Sequence, residues 1–333
     1  MPRRSPTFIS VDHARELARR RLPRPIFDYV DGGADDEVTA SRNRRSFATW
    51  ALRQLTGDPI GTPDLTTTLL GHELAAPVLF APCGLTGVVH PDGEPAVARS
   101  AGRNGTIGIT SSFAIRPLED VARAATGPMW FQLYFFGGIA GAERMVDRAE
   151  QAGYDGLVVT LDTSAVGNRE RDLRNGVRHP VKLDARTVVR FLPAVAAKPR
   201  WLAAFLRNGG TLQLGNVDPE HTGSGDDLHA SLVSAPPTWD DVARLRERWG
   251  RKLVVKGVMD PVDVRRAIDH GADAVVVSNH GGRQLDMLPA TIDVLASMVE
   301  AADDQIEVIF DGGIRRGSDI VVALALGARA VCI

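Results

Sequence analysis

The segment VVSNHGGRQLD, residues 276–286, ends an apolar run with a serine and then presents Asn279, His280, two glycines and Arg283. A histidine can take a proton near neutral pH, and a neighbouring carboxylate would orient its ring and stabilise the imidazolium. Arg283 offers a planar fork suited to a carboxylate. Other apolar runs end in the same way, at Pro82-Cys83-Gly84, Ser111-Ser112, Gln132 with Tyr134, Thr160 with Asp162, Lys256, and Asp311-Gly312-Gly313 with Arg315. Taken singly, each is an ordinary satisfied polar residue or a solvated loop residue. Their recurrence at the ends of apolar runs is what favours a site. Asp162 is the candidate carboxylate for His280, and Lys256 supplies a point charge where an anion develops. Ser111, Gln132, Thr160 and the turn at Asp311 offer hydrogen bonds to a flat heteroaromatic ring. Such a set suits a 2-hydroxy acid held against an electron-accepting cofactor, although spacing alone does not identify the cofactor.

Eight short apolar runs must position these groups: 77–82, 107–111, 129–134, 156–162, 252–257, 274–280, 307–313 and 328–333. Helix-like segments such as AERMVDRAEQAG and DPVDVRRAIDHG lie between them, several closing on glycine as a helix stop does. Strands without polar alternation, each followed by an amphipathic helix, predict a parallel sheet covered by helices. Eight of them predict an α/β chain folded as a (β/α)₈ TIM barrel, whose reactive groups gather at the C-terminal strand ends. An open doubly wound sheet is the alternative, disfavoured by the count and by the missing GxGxxG after the first strand. Residues 1–76 form an N-terminal helical and turn-rich segment ahead of the barrel at 77–333. A long insertion at about 171–237 interrupts the barrel, and loops of that length are more often functional or mobile than merely tolerated.

The 333 residues are 44% hydrophobic and 24% charged, with a net charge of −2, as in a globular protein. That balance gives no support for a nucleic-acid partner. Two cysteines, Cys83 and Cys332, argue against a disulfide framework or zinc site and fit a reducing, cytoplasmic compartment. No run approaches the ~20 apolar residues of a spanning helix, and MPRRSPTFIS lacks the apolar core of a secretory signal. Within the insertion, residues 187–210 mix Arg190, Lys198, Arg200 and Arg207 with Phe, Leu and Trp. Peripheral contact with the inner face of a membrane and an ordinary helix pair on the barrel rim fit that segment equally well.

SNHGGRQLD, with WFQLY, VTLD, VVKG, FDGGIRRGSDI and ALALGARAV, closely resembles the FMN-dependent L-2-hydroxy acid oxidase/dehydrogenase family, from about residue 11 to 333. That family includes glycolate oxidase, L-lactate dehydrogenase and (S)-mandelate dehydrogenase. The resemblance implies FMN as cofactor and His280 as catalytic base, with Asp162 paired to it and Tyr134 near the substrate hydroxyl. It implies Arg283 and Arg169 at the substrate carboxylate, and Lys256 beside flavin N1 and O2. Ser111, Gln132 and Thr160 match ring and ribityl contacts, while Asp311, Gly313 and Arg315 match the ribityl and phosphate region. Pro82, Cys83, Gly84, Ser278 and Gly312 complete the expected cofactor-binding set. The implied reaction carries an L-2-hydroxy acid, L-lactate first, to its 2-oxo acid and passes electrons to a quinone, a cytochrome or oxygen. Alternatives are an (S)-mandelate dehydrogenase, an oxygen-using oxidase, or a non-catalytic barrel remnant. Relatives are commonly tetramers, so a homo-oligomer is implied.

Three departures from the family pattern stand out. Phe27 in IFDYVDGG occupies the position assigned to a carboxylate-binding tyrosine, which would remove one hydrogen bond worth ~1 kcal/mol. Gly84 stands where oxidases tend to have alanine, and this favours a dehydrogenase; a glycine required by a turn explains it nearly as well. Finally, the sequence stops at Ile333, where relatives continue with a Gly-Arg phosphate grip, so a barrel lacking its last helix and C-terminal tail is expected.

Overall fold

A computed structural model describes residues 8–57, 61–177, 185–210, 213–217 and 236–333. Three helices come first: α1 (Val11–Arg21), α2 (Arg24–Asp31) and α3 (Val38–Arg45), the last running into a 3₁₀ turn at Ser46–Thr49. Ser10 caps α1 by accepting from His13 N at 3.1 Å. A hairpin, β1 (Thr67–Leu69) and β2 (His72–Leu74), precedes the first barrel strand.

The eight barrel strands are β3 (Val78–Leu79), β4 (Gly108–Ser111), β5 (Met129–Leu133), β6 (Gly156–Thr160), β7 (Lys252–Val258), β8 (Ala274–Val277), β9 (Glu307–Asp311) and β10 (Ala330–Cys332). They pair in parallel in the order β3-β10-β9-β8-β7-β6-β5-β4. The ring closes where Phe80 pairs with Gly108: Phe80 N donates to Ile107 O and Ile109 N to Phe80 O, both at 3.1 Å. The expected TIM barrel is therefore the fold, and the open sheet is excluded by that closing bridge.

Helices follow the strands in turn: α4 (Thr86–Val89), α5 (Gly93–Arg103), α6 (Leu118–Ala124), α7 (Gly138–Gln151), α8 (Glu170–Asn175), α9 (Ala185–Ala196), α10 (Pro199–Arg207), α11 (Trp239–Arg248), α12 (Pro261–Asp269), α13 (Thr291–Ala302) and α14 (Gly317–Ala325). Local chemistry starts several of them. Thr238 and Asp241 form a reciprocal capping box on α11, and Asp260 caps α12 just ahead of Pro261.

Strands here read as unbroken apolar runs because both faces are buried. Along β7, Leu253 and Val255 pack outward with the helices, while Val254 points into the barrel. The interior layer holds Leu79, Ile109, Trp130, Val158, Val254, Val276 and Ile309, and Leu69, Leu70 and Leu74 of the hairpin join it. Each such fully buried aliphatic side chain contributes roughly 1.5–3 kcal/mol relative to exposure.

In the insertion, α10 is tied down by Trp201, whose indole N–H donates to Val88 O of α4 at 2.8 Å and whose ring stacks on Phe205. Val189, Leu192 and Leu206 remain exposed. Residues 187–188 carry no described side chains, and 211–212 and 218–235 lie outside the described residues. No helix among the described residues is long and apolar enough to cross a membrane.

Candidate active site

Strand parity builds the site. Two residues beyond each interior apolar position, the same face of the strand returns. Ile109 leads to Ser111, Trp130 to Gln132, Val158 to Thr160, Val254 to Lys256, Val276 to Ser278, Ile309 to Asp311 and Ala330 to Cys332. The dry interior is thus roofed by one polar layer at the C-terminal mouth. Ser111, Gln132, Thr160, Lys256 and Ser278 in that layer are all buried. Its members satisfy one another: Ser111 Oγ donates to Gln132 Oε1 (2.7 Å), and Gln132 Nε2 donates to Thr160 Oγ1 (3.0 Å). Lys256 Nζ donates to Ser278 Oγ (2.8 Å) and pairs with Asp311 Oδ2 (3.0 Å). Burial works to lower the Lys256 ammonium, but Asp311 and Asp162 outweigh it and hold its pKa above the ordinary lysine value.

His280 lies just past β8, at φ 58, followed by Gly281 and Gly282 at φ 67 and 75. This left-handed turn brings its Nδ1 to 3.1 Å from both oxygens of Asp162, and its Nε2 to 3.2 Å from the Tyr134 hydroxyl. Asp162 has room there because β7 bulges at Gly257, where φ is +101 and a Cβ would fall 2.6 Å from Asp162 Cβ. Burial would push the Asp162 carboxyl up, yet His280 and Lys256 hold it below the usual carboxylate range. Burial, with the Asp162 charge, pushes the Tyr134 phenol upward and keeps it protonated. The arrangement therefore sets a carboxylate against the Nδ1 edge of the imidazole and a protonated phenol against its Nε2 edge.

Arg283 and Arg169 converge on one ring, that of Tyr29, with guanidinium carbons 5.3 and 5.4 Å from its centroid. Burial, and then the like charge of Arg169, lower the Arg283 pKa. Arg169 Nε is buried with no hydrogen-bond acceptor, although Asp172 Oδ2 lies 3.6 Å away. Two crowded guanidinium groups and an unmet N–H make a site for an anion.

Phe27 does not join this group. It is buried, and its ring lies under Arg15 at 5.6 Å. Two positions along α2 turn a side chain by about 200°, so Tyr29 faces the arginines where Phe27 was expected. The hydroxyl expected to be lost is present two residues on. Composition gave no signal to choose between them; only the rotation of α2 does.

Of the other expected residues, Gly312 and Gly313 continue from Asp311 at φ 109 and 83. Arg315 is exposed, with its guanidinium donating to Ile314 O at 2.7 Å. Pro82 and the exposed Cys83 follow β3. At Gly84 a Cβ would fall 2.7 Å from Phe113 Cβ, so close packing is reason enough for glycine. Phe113 in turn meets Tyr134 and Phe136 edge-on, with centroids 5.2 and 5.0 Å apart. Among the described residues, no group of three or more histidine, cysteine or acidic side chains is placed to hold a metal ion.

A family model described as FMN-dependent dehydrogenase matches residues 18–333. A pre-mycofactocin synthase of Mycolicibacterium smegmatis is 40% identical over 337 aligned positions, covering 98% of this chain and 82% of the relative. An L-lactate dehydrogenase of Caulobacter sp. (strain K31) is 40% identical over 322 positions, covering 95% and 83%. Among solved structures, the monotopic membrane protein (S)-mandelate dehydrogenase superposes with a TM-score of 0.90 at 37% identity, covering 98% of this chain and 87% of that one.

Proposed function

The chain belongs to the FMN-dependent dehydrogenase family, and on that premise we propose that it oxidises an L-2-hydroxy acid, L-lactate first, to the 2-oxo acid with His280 as base. The observation that carries this is the Asp162–His280–Tyr134 chain beside the Arg169–Tyr29–Arg283 group, near enough that Tyr29 and both arginine charges act on the Tyr134 phenol. FMN is the cofactor, and when bound it supplies the two-electron acceptor that no side chain provides.

The polar layer suits that group. Ser278 and Asp311 take two of the three Lys256 N–H donors, which leaves one for an electron-rich ring edge. Ser111, Gln132 and Thr160 present hydroxyl and amide groups beside it. In this reading Pro82, Cys83, Gly84, Ser278, Asp311, Gly312, Gly313 and Arg315 would complete the hold.

His280 Nε2, 3.2 Å from the Tyr134 hydroxyl, takes the substrate proton. Asp162 stabilises the imidazolium that results, and its depressed pKa keeps it charged for that task. The substrate carboxylate lies against Arg283 and Arg169, with the Tyr29 phenol beside them. Lys256 balances negative charge at the barrel mouth.

A second reading, an aryl acid such as mandelate, is favoured by the Phe113 ring set edge-on to Tyr134. We further propose a homo-oligomer that passes electrons to a quinone or other acceptor and touches a membrane peripherally through α9 and α10. The exposed Val189, Leu192 and Leu206 and the likeness to a monotopic membrane enzyme support that contact. The test is anaerobic mixing of the FMN-loaded enzyme with L-lactate, glycolate and (S)-mandelate and with D-lactate. Loss of flavin absorbance with an L-acid and not with D-lactate is expected. Inertness toward every 2-hydroxy acid would defeat the reading, and oxygen uptake with peroxide release would move the acceptor to oxygen.

A further inference from the structure

A non-glycine residue in the left-handed region persists only where its surroundings over-determine it. For His280, at φ 58, those surroundings lie largely in α3, outside the barrel. Asn43 of α3 donates from Nδ2 to Asn279 Oδ1 at 2.8 Å, and Asn279 Nδ2 donates back to Asn43 Oδ1 at 2.9 Å. Asn279 Nδ2 also reaches Pro289 O at 3.0 Å, and Asn43 Oδ1 accepts from Thr291 N at 3.3 Å. Both residues are 2% exposed, so removing Asn43 leaves Asn279 Oδ1, and removing Asn279 leaves Asn43 Nδ2, buried without its partner. Asn279 immediately precedes His280, and its amide therefore pins the peptide that enters the left-handed turn. Further contacts tie the same loop to the same region: Ala34 N donates to Gly282 O at 2.8 Å, and Leu288 N to Thr39 Oγ1 at 2.9 Å.

We propose that Asn43 is a positioning residue for His280: through the reciprocal amide pair with Asn279, it holds the turn in which the imidazole meets both Asp162 and Tyr134. This rests on His280 being the base, as argued above. A change at Asn43 would displace the ring by a fraction of its own size without removing any group that touches substrate, and displacements of that order are costly to a proton transfer.

The test compares Asn43→Ala, Asn279→Ala and the double variant in the FMN-loaded enzyme. Flavin reduction is followed anaerobically, and the His280 imidazole is followed by NMR. Each single variant should lose about 100-fold in maximal reduction rate, with KM and FMN content changed less than about threefold. The double variant should be no slower than Asn279→Ala. The His280 resonance should lose the signature of its Asp162 contact, a readout independent of turnover. Should Asn43→Ala fail to fold, Asn43→Asp keeps the acceptor for Asn279 and Thr291 while deleting the donor to Asn279 Oδ1, and it should show the same fall. If the wild type reduces FMN with substrate while Asn43→Ala or Asn43→Asp does so at full rate, the positioning role is overturned. Losses that multiply independently in the double variant overturn it as well. If no hydroxy acid reduces the wild type, the function has failed, and an unshifted His280 resonance in the variant still decides against the positioning role.

Discussion

At the scale of single residues, the site divides into groups poised for chemistry and groups that hold them. SNHGGRQLD contains both. His280 and Arg283 face the mouth, whereas Asn279 is paired with Asn43, and Asp286 accepts from Val38 N and Thr39 N at 3.1 and 2.7 Å. The chemical types of His280, Arg283, Asp162 and Lys256 were legible from the sequence because charged groups at the ends of apolar runs are costly without a partner. Tyr29 was not, since neither Phe27 nor Tyr29 reveals which way α2 is rotated. Tyr29→Phe should raise KM for the hydroxy acid about tenfold with kcat less affected, the value of one hydrogen bond to a charged acceptor. Steady-state kinetics over a substrate series checks this, and an unchanged KM would take the phenol out of the carboxylate site.

Among the elements, the N-terminal helices act as supports for the barrel loops. Asp286 caps α3 from 247 residues away in sequence, a function invisible to any local reading because Glu37, at the helix start, makes no side-chain cap. Asp286→Ala should lower stability by about 1–2 kcal/mol, as loss of an N-cap does, measurable by denaturant unfolding. The bulge at Gly257 is equally hidden in VVKG, which reads as plain strand. Gly257→Ala would force a Cβ onto Asp162 at φ +101, and a stability loss of about 1–3 kcal/mol together with slowed flavin reduction is expected. The eight strands, by contrast, were legible because burial on both faces leaves unbroken apolar runs; six of the expected runs extend one to three residues past the strand end, whereas 107–111 ends where β4 does and 252–257 stops one short of β7. Ser278 to His280 read as strand until the left-handed turn is known.

For the whole molecule, pH and surface set the remaining tests. The Asp162 pKa is depressed below 3.8, so its contribution to stability is complete above that value and is lost as pH falls through the folded value. The Lys256 pKa is raised above 10.5, so its contribution is complete below 10.5 and is lost as pH rises through the folded value. A plateau of thermal stability between these limits is expected, and Asp162→Asn should flatten part of the acid limb. Flotation with anionic vesicles should carry the protein in a salt-sensitive way if α9 and α10 meet a membrane; no flotation at low salt removes that contact.

On the proposed function, His280 removes the substrate proton at the mouth of the barrel. FMN-loaded wild type and His280→Ala, mixed anaerobically with the hydroxy acid that the wild type oxidises, test it most directly. Bleaching of flavin absorbance is expected in the wild type and none in His280→Ala, with FMN retained in both. Bleaching of His280→Ala at close to the wild-type rate would contradict it.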